Sequence, residues 1–127
     1  MNKTELVFSM TFDPGDALIF RKLFDQVSGV FFSYLKDNHA ELWGDRTSHV
    51  VVEFRQEKEI FLTVKLANTT KEVFIDCKMD TGTDIGTQAI PCHLAIVDHS
   101  TGKTLQYHAA IEHGVLVTHG LASKVKP

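Results

Sequence analysis

The sequence predicts an α+β protein in which one curved antiparallel sheet of about five strands wraps around a single long helix. Two observations lead to this prediction. A hydrophobic run that begins near residue 19 repeats at three- and four-residue steps, which is the period of a helix. Segments rich in Val, Ile, Phe and Thr lie before and after it, separated by turn-forming residues, as strands are. The chain is expected to form one domain, residues 1–127.

Composition limits the classes of function. With 43% hydrophobic residues the chain is expected to bury a core, and a net charge of -3 gives no footprint for nucleic acid or an anionic membrane. The amino terminus lacks the long apolar stretch of a signal peptide, and no segment approaches membrane-spanning length. We therefore expect a soluble cytoplasmic protein.

The first strand and the helix follow one another closely. Residues 5–12 alternate loosely, as a strand does. The run from about Ile19 is apolar on more than one face, which predicts a helix buried on several sides. Gly29 weakens helix propensity by up to ~1 kcal/mol, so its presence predicts that another backbone packs close by. The helix is expected to end near Asp37-Asn38.

Four strand-like segments follow a polar loop; they read SHVVVEFRQEKEIFLTVKL, KEVFIDCKM, GTQAIPCHLAIVD and KTLQYHAAIEHGVLVTH. The turn DHSTGK is short enough to join the last two as an antiparallel hairpin. A tight turn there places Asp98 opposite Lys103, and it also places His93 opposite His108. Pro91 has no N–H to donate, which predicts an edge strand or a bulge.

The stretch TFDPGDALIFRKLF, residues 11–24, places Asp13 and Asp16 in a turn immediately before the helix. One interpretation is structural, because Asp-Pro-Gly-Asp is a good turn and Asp16 suits the N-cap of the helix. The other is chemical. A carboxylate beside a helix amino terminus combines a nucleophile or base with N–H groups that stabilise an oxyanion. The residues alone leave both open.

The longer stretch FDPGDALIFRKLFDQVSGVFFSYL, residues 12–35, resembles the 4-hydroxybenzoyl-CoA thioesterase-like family of hotdog acyl-CoA thioesterases. That family carries an Asp, often followed by Pro, after its first strand, and an apolar run then enters a central helix. Residues 86–111 are similar to the last long hairpin of the family. One position departs from the pattern, since Asp16 stands where the family usually has Gly.

The resemblance implies a hotdog fold and the hydrolysis of an acyl or aroyl thioester of coenzyme A or of an acyl carrier protein. It implies no metal and no cofactor apart from the coenzyme A of the substrate. The catalytic carboxylate falls on Asp13, as nucleophile or general base, and the oxyanion donor is the backbone N–H of Phe20. Asp16 is an N-cap or a supporting acid/base. The family also implies a homodimer or homotetramer with active sites between subunits.

Among the basic residues, Arg21 and Lys22 are the first candidates for contacts to the coenzyme A phosphates, since they lie beside the proposed site. Arg55, Lys65 and Lys103 are more distant candidates.

The histidines and cysteines predict no further site. The seven histidines show no ligand spacing on a helix, and a hairpin pair is not a zinc site, which usually needs a third protein ligand. No metal is therefore expected. Cys77 and Cys92 lie in strand-like runs and are expected to be buried reduced thiols, with a disulfide or a reactive thiol as the alternative.

Two rival functions stay open. A hotdog dehydratase or hydratase needs a His paired with a carboxylate on the helix, and Asp25 is the only obvious carboxylate in the helix body. A non-catalytic module that binds an acyl chain or a partner protein is the second rival, and Asp16 in place of Gly fits a degenerate site.

Overall fold

Seven strands form one sheet in the computed structural model, which describes residues 3–9, 17–56, 59–80 and 82–124. The elements are β1 (Lys3–Ser9), α1 (Ala17–Asn38), α2 (Ala40–Trp43), β2 (His49–Gln56), β3 (Ile60–Ala67), β4 (Lys71–Met79), β5 (Ile90–Asp98), β6 (Lys103–Glu112) and β7 (Val115–Lys124). Neither described helix is both long and apolar enough to span a bilayer.

The strands are arranged in the order in which they occur in the chain. β1 runs parallel to β2, with Lys3 opposite His49 and Ser9 opposite Arg55. All later neighbours are antiparallel. A parallel pair needs a crossover connection, and the segment that contains α1 supplies it. The sheet is therefore mixed, with a β1–α1–β2 unit at one side and a six-stranded antiparallel meander from β2 to β7.

The predicted hotdog fold, with about five antiparallel strands around one long central helix, is wrong. Residues 48–66 and 103–119, each interpreted as one strand, contain two strands each. In the second segment His113 and Gly114 adopt φ angles of 53° and 77°, which makes a two-residue hairpin turn within an otherwise strand-like run. The parallel pairing of β1 with β2 also excludes an all-antiparallel sheet.

Alternating burial gives the sheet two distinct faces. The inner face packs against α1 and carries Val50, Val52 and Phe54 of β2, all at most 2% exposed. Residues between them, such as Glu53 and Arg55, point to the outer face and are exposed. The same alternation continues through β3, β4 and β5. One side of the sheet therefore buries the core, and the other presents mostly polar side chains.

Helix α1 covers the inner face with its large apolar side chains. Val27, Phe31 and Leu35 are 0% exposed and lie at four-residue steps along one stripe. The ring of Phe24 meets the ring of Phe54 edge-on, with their centroids 5.6 Å apart. This contact places the first half of α1 beside the last residues of β2. The predicted end of the helix near Asp37-Asn38 is confirmed.

Gly29 lies on the exposed side of α1, and a side chain added there would meet no atom of the described residues within 4 Å. The predicted close approach of another backbone at this position is therefore wrong.

The hairpin between β5 and β6 is confirmed as predicted. Asp98 is opposite Lys103, and His93 is opposite His108. Gly102 closes the turn with a φ of 71°, and its N–H donates to the Asp98 carbonyl at 2.8 Å. Pro91 does not mark an edge strand, because β5 lies between β4 and β6. The ladder to β4 ends at Cys92, so at Pro91 the strand pairs with β6 alone.

Replacing Gly29 by Ala is expected to raise the free energy of unfolding by up to about 1 kcal/mol. The added methyl group has open space, and alanine restricts the unfolded chain. Urea denaturation followed by far-UV circular dichroism measures the change.

Gly114→Ala is the matched control, because its φ of 77° disfavours any side chain. This variant should lose roughly 1 kcal/mol. A destabilised Gly29→Ala protein would contradict the exposed placement of Gly29.

Candidate functional site

The connection from β1 to α1 carries the predicted catalytic carboxylates. β1 ends at Ser9 and α1 begins at Ala17, so residues 10–16 join the carboxyl end of the strand to the amino end of the helix. Asp13 and Asp16 are in this segment and lie outside the described residues. Their catalytic roles remain predictions.

The amino end of α1 is positioned by its buried side chains. Phe20, the fourth residue of the helix, is 3% exposed and belongs to the hydrophobic core. The first turn of this described helix carries no acidic side chain, so the positive end of its dipole is not neutralised from within the turn. The Phe20 N–H is in this turn, and its role as oxyanion donor remains a prediction.

Arg21 and Lys22, the predicted phosphate contacts, both lie on the exposed surface of α1. Arg21 has an 80% exposed side chain and lies 3.9 Å from the carboxylate of Asp25, one helical turn away. The Asp25 side chain is itself 63% exposed. Neither end of this ion pair faces the core, so the pair does not form part of an enclosed pocket.

One end of the sheet, here called the site end, gathers the termini of several elements. The carboxyl end of β1 and the amino end of α1 lie there. Because β2 runs parallel to β1 and the later strands alternate in direction, the last residues of β2, β4 and β6 lie there as well. The first residues of β3, β5 and β7 complete it. Segment 10–16 therefore begins and ends at the site end.

Arg55 is the cation that the register places opposite Ser9, the last residue of β1. Its guanidinium stands 5.0 Å from the centre of the Phe61 ring, its cross-strand neighbour on β3. No carboxylate of the described residues lies within ion-pair distance of Arg55. A guanidinium held over an aromatic ring keeps its N–H groups available for an anion.

An open groove of about 510 Å³ lies on the outer face beside Arg55. Its lining includes Arg55, Phe61, Thr63, Asp76, Lys78 and His93. Lys78 is paired with Glu59 at 2.9 Å, which partly offsets its charge. A second open cavity of about 580 Å³ adjoins the groove and shares Lys78 and Pro91 with it.

A chain of three polar side chains crosses the outer face next to the groove. His93 Nδ1 lies 3.4 Å from a carboxylate oxygen of Asp76, and His93 Nε2 lies 3.2 Å from the amide oxygen of Gln106. Asp76, on β4, is directly opposite His93 on β5. Contacts at both ring nitrogens fix the orientation of the imidazole at the groove wall.

The other histidines do not assemble a metal site among the residues that the structure describes, where no group of three or more potential ligands occurs. His93 and His108 are cross-strand neighbours on the outer face. His119 Nε2 lies 2.7 Å from a carboxylate oxygen of Glu112, where β6 and β7 form the far edge of the sheet.

His39, where α1 gives way to α2, is the most buried of the described histidines, at 6% exposed. Its Nδ1 lies 3.4 Å from the Lys71 ammonium, and its ring lies 5.9 Å from that of Tyr34. Burial lowers the pKa of His39, and Lys71 lowers it further, whereas Glu41 opposes both. This cluster lies at the end of α1 opposite the site end.

Sequence reasoning ranked Arg55 low and missed the outer-face groove. The signal is the charged run FRQEKE, which the sequence indicates to be a solvated turn or a strand edge. Interpreted as the turn of a hairpin, it places Arg55 directly opposite Phe61. Treating residues 48–66 as one strand hides that pairing.

Comparisons of this chain with protein families, with curated proteins and with solved structures find no match.

The lowered pKa of His39 predicts a loss of stability on acidification. The unfolded chain takes up a proton near the ordinary histidine pKa of about 6.5, whereas the folded protein does so only at lower pH. Stability should therefore fall as the pH drops below about 6.5. The melting temperature of His39→Gln should fall less between pH 7 and pH 5 than that of the wild type.

His49→Gln provides the comparison, because His49 is exposed at the start of β2. Its melting temperature should follow the wild-type pH profile. Identical pH profiles for His39→Gln and the wild type would show that His39 is not the titrating group.

Proposed function

We propose that the protein hydrolyses an acyl or aroyl thioester carried by coenzyme A or by an acyl carrier protein. The observation that carries this proposal is the β1–α1–β2 unit, in which segment 10–16 joins the end of a parallel strand to a helix amino terminus. Ligands of α/β units bind beyond the carboxyl ends of parallel strands, where helix amino termini favour negative charge.

The chemistry needs two opposed groups, which this proposal assigns to the Asp13 carboxylate and to the amino end of α1. The Asp13 carboxylate attacks the thioester carbonyl or activates a water molecule that does so. The oxygen of the carbonyl becomes an oxyanion, which the positive end of α1 stabilises. The sulfur leaves as a thiol after taking up a proton, and water provides the oxygen of the carboxylic acid product. The stabilisation of the oxyanion is assigned to the dipole of the first turn of α1. It does not require the Phe20 N–H to be unpaired.

The position of Arg55 supports the proposal that the substrate is anionic. It is opposite the last residue of β1, and it is among the residues that line the open groove of about 510 Å³. The phosphates of coenzyme A or of phosphopantetheine are suitable partners for a guanidinium. Arg55 therefore replaces Arg21 and Lys22 as the preferred phosphate contact, because those two lie on the open surface of α1.

The exposed edge strand supports the association of two or more copies. β7 pairs only with β6 among the described residues, and its Val115 and Val117 are 61% and 37% exposed. An unpaired edge with apolar side chains favours pairing with another chain. A homodimer or homotetramer in the cytoplasm is part of this proposal.

A hydratase has less support than a hydrolase. The carboxylate that it would need in the helix body belongs to Asp25, which is largely exposed and paired with Arg21. Asp25 is therefore not enclosed with a substrate in the described part of the chain.

Release of free thiol from a panel of acyl- and aroyl-CoA thioesters tests the proposed reaction. Asp13→Asn should lower kcat/KM at least ~100-fold, because the base or nucleophile is lost. Asp25→Asn should retain wild-type activity and serves as the control for a surface carboxylate. Circular dichroism shows whether each variant is folded.

Two outcomes would overturn the assignment. If no thioester in the panel is turned over by the wild type, the protein is a binding module. If only Asp16→Asn is inactive, Asp16 and not Asp13 is the catalytic carboxylate.

Arg55→Ala should raise KM for an acyl-CoA roughly tenfold, the equivalent of one charge-assisted hydrogen bond. Arg21→Ala, which removes a cation from the surface of α1, should leave KM unchanged. Neither variant should alter KM for the same acyl group on N-acetylcysteamine, which has no phosphate. Equal effects of the two variants on the acyl-CoA would exclude a specific role for Arg55.

A further inference from the structure

Cys77 on β4 and Cys92 on β5 are directly opposite one another in the sheet. Both belong to the inner face, where they are 4% and 8% exposed, and both are free thiols. The sequence places them 15 positions apart and gives no sign that they are paired. The register of the β4–β5 ladder brings them together.

Opposite residues of an antiparallel ladder form either a hydrogen-bonded or a non-hydrogen-bonded pair. Which of the two the cysteines form determines the distance between their Cα atoms. The Asn68 N–H donates to the carbonyl of Lys71 at 2.9 Å, so the backbone of Lys71 is directed toward β3. Backbone directions alternate along a strand, so Cys77 is also directed toward β3 and not toward Cys92. The two cysteines therefore form a non-hydrogen-bonded pair, in which Cα atoms are about 4.5 Å apart. That separation falls within the range that a disulfide bridges.

The two thiols already interact in the reduced protein. The Cys92 thiol donates a hydrogen bond to the carbonyl of Ile90 at 3.4 Å. The hydrogen bond to Cys92, and after it burial, raises the pKa of the Cys77 thiol. Cys92, the more exposed of the two, is therefore the better placed to react first.

A route of access exists at this rung of the ladder. Cys77–Cys92 is the last pair between β4 and β5, and the next residue of β5 toward the site end is Pro91, which pairs only with β6. Both strands nevertheless continue past this rung and stay paired on their other sides, Cys77 with Leu62 and Cys92 with Ala109. Cys77 and Cys92 are among the residues that line the open groove beside Arg55, so we expect a small reagent to reach Cys92 from that groove.

We propose that Cys77 and Cys92 are a redox-active dithiol that a small-molecule disulfide converts into a cross-strand disulfide. The Cys92 sulfur attacks the reagent disulfide and forms a mixed disulfide, releasing one thiol. The Cys77 sulfur then attacks the Cys92 sulfur of that mixed disulfide, which closes the cross-strand bond and releases the second thiol. The two cysteine protons go to the two released thiols, so two cysteines are oxidised and one reagent disulfide is reduced. The cysteines line the same groove as Arg55, but their oxidation does not require the proposed hydrolase activity.

Native protein incubated with oxidised glutathione, then alkylated and analysed by mass spectrometry, tests the pair. The wild type should become two hydrogen atoms lighter and yield a linked peptide that contains Cys77 and Cys92. Dithiothreitol should restore two alkylatable thiols. Cys77→Ala should accumulate one glutathione on Cys92, and Cys92→Ala should take up at least ~10-fold less, since Cys77 is more buried and holds its proton.

Three results would overturn the proposal. One is a wild type that keeps two alkylatable thiols while it remains folded. Another is a link that appears only in urea, and the third is a link between two chains. Cys77→Ser and Cys92→Ser replace the alanine variants if circular dichroism shows those to be unfolded.

Discussion

One helix has to cover the apolar face of a seven-stranded sheet, and the position of most other elements follows from that constraint. With 22 residues α1 is roughly 33 Å long, but it is only about 10 Å wide. β3 and β7 lie four strands apart, roughly 19 Å in a flat sheet. Both contact α1, so the sheet is curved toward the helix. Val27, Phe31 and Leu35 fill the space between them.

That curvature leaves the outer face convex and open to solvent, and its residues suit such a surface. Aromatic rings there lie under cations, with Arg55 over Phe61 and Lys65 over Phe74. Each cation shields apolar area and keeps its charge in water. The same arrangement places charged groups beside an open groove. The polar side chains do not close the surface there. The outer face therefore combines polar, solvent-exposed side chains with the groove in which we propose that an anion binds.

Local features of this protein are predictable from the sequence, and pairing between distant segments is less so. The end of α1 and the Asp98–Lys103 turn follow from spacing and from Gly102, since neighbours in sequence determine them. The parallel pairing of β1 with β2 depends on where the helix returns the chain. No residue in either strand encodes that direction. The cysteine pair is equally hidden, because its existence depends on the register of two strands.

Two further differences between the prediction and the structure show which features hydrophobic periodicity does not reveal. The His113–Gly114 turn needs a positive φ at a residue other than glycine, so the run around it looks like one strand. Gly29 looks like a packing position because glycine is unfavourable in a helix, yet the space around it is empty. Of the candidate site, the sequence indicates the segment between β1 and α1. It does not show that Arg55 lies beside the end of β1.

The parallel attachment of β1 has a consequence for how the molecule assembles. β2 to β7 pair with their chain neighbours, whereas β1 pairs with residues 46 positions away, from Lys3 to His49 (49 − 3 = 46). Closing so long a loop costs entropy that is recovered only after the helix has docked. We therefore expect β1 to join an already formed meander late. If the proposed hydrolysis is right, a chain in which β1 is detached would leave the connection that carries Asp13 anchored at α1 alone, and activity would then require that β1 has joined the sheet.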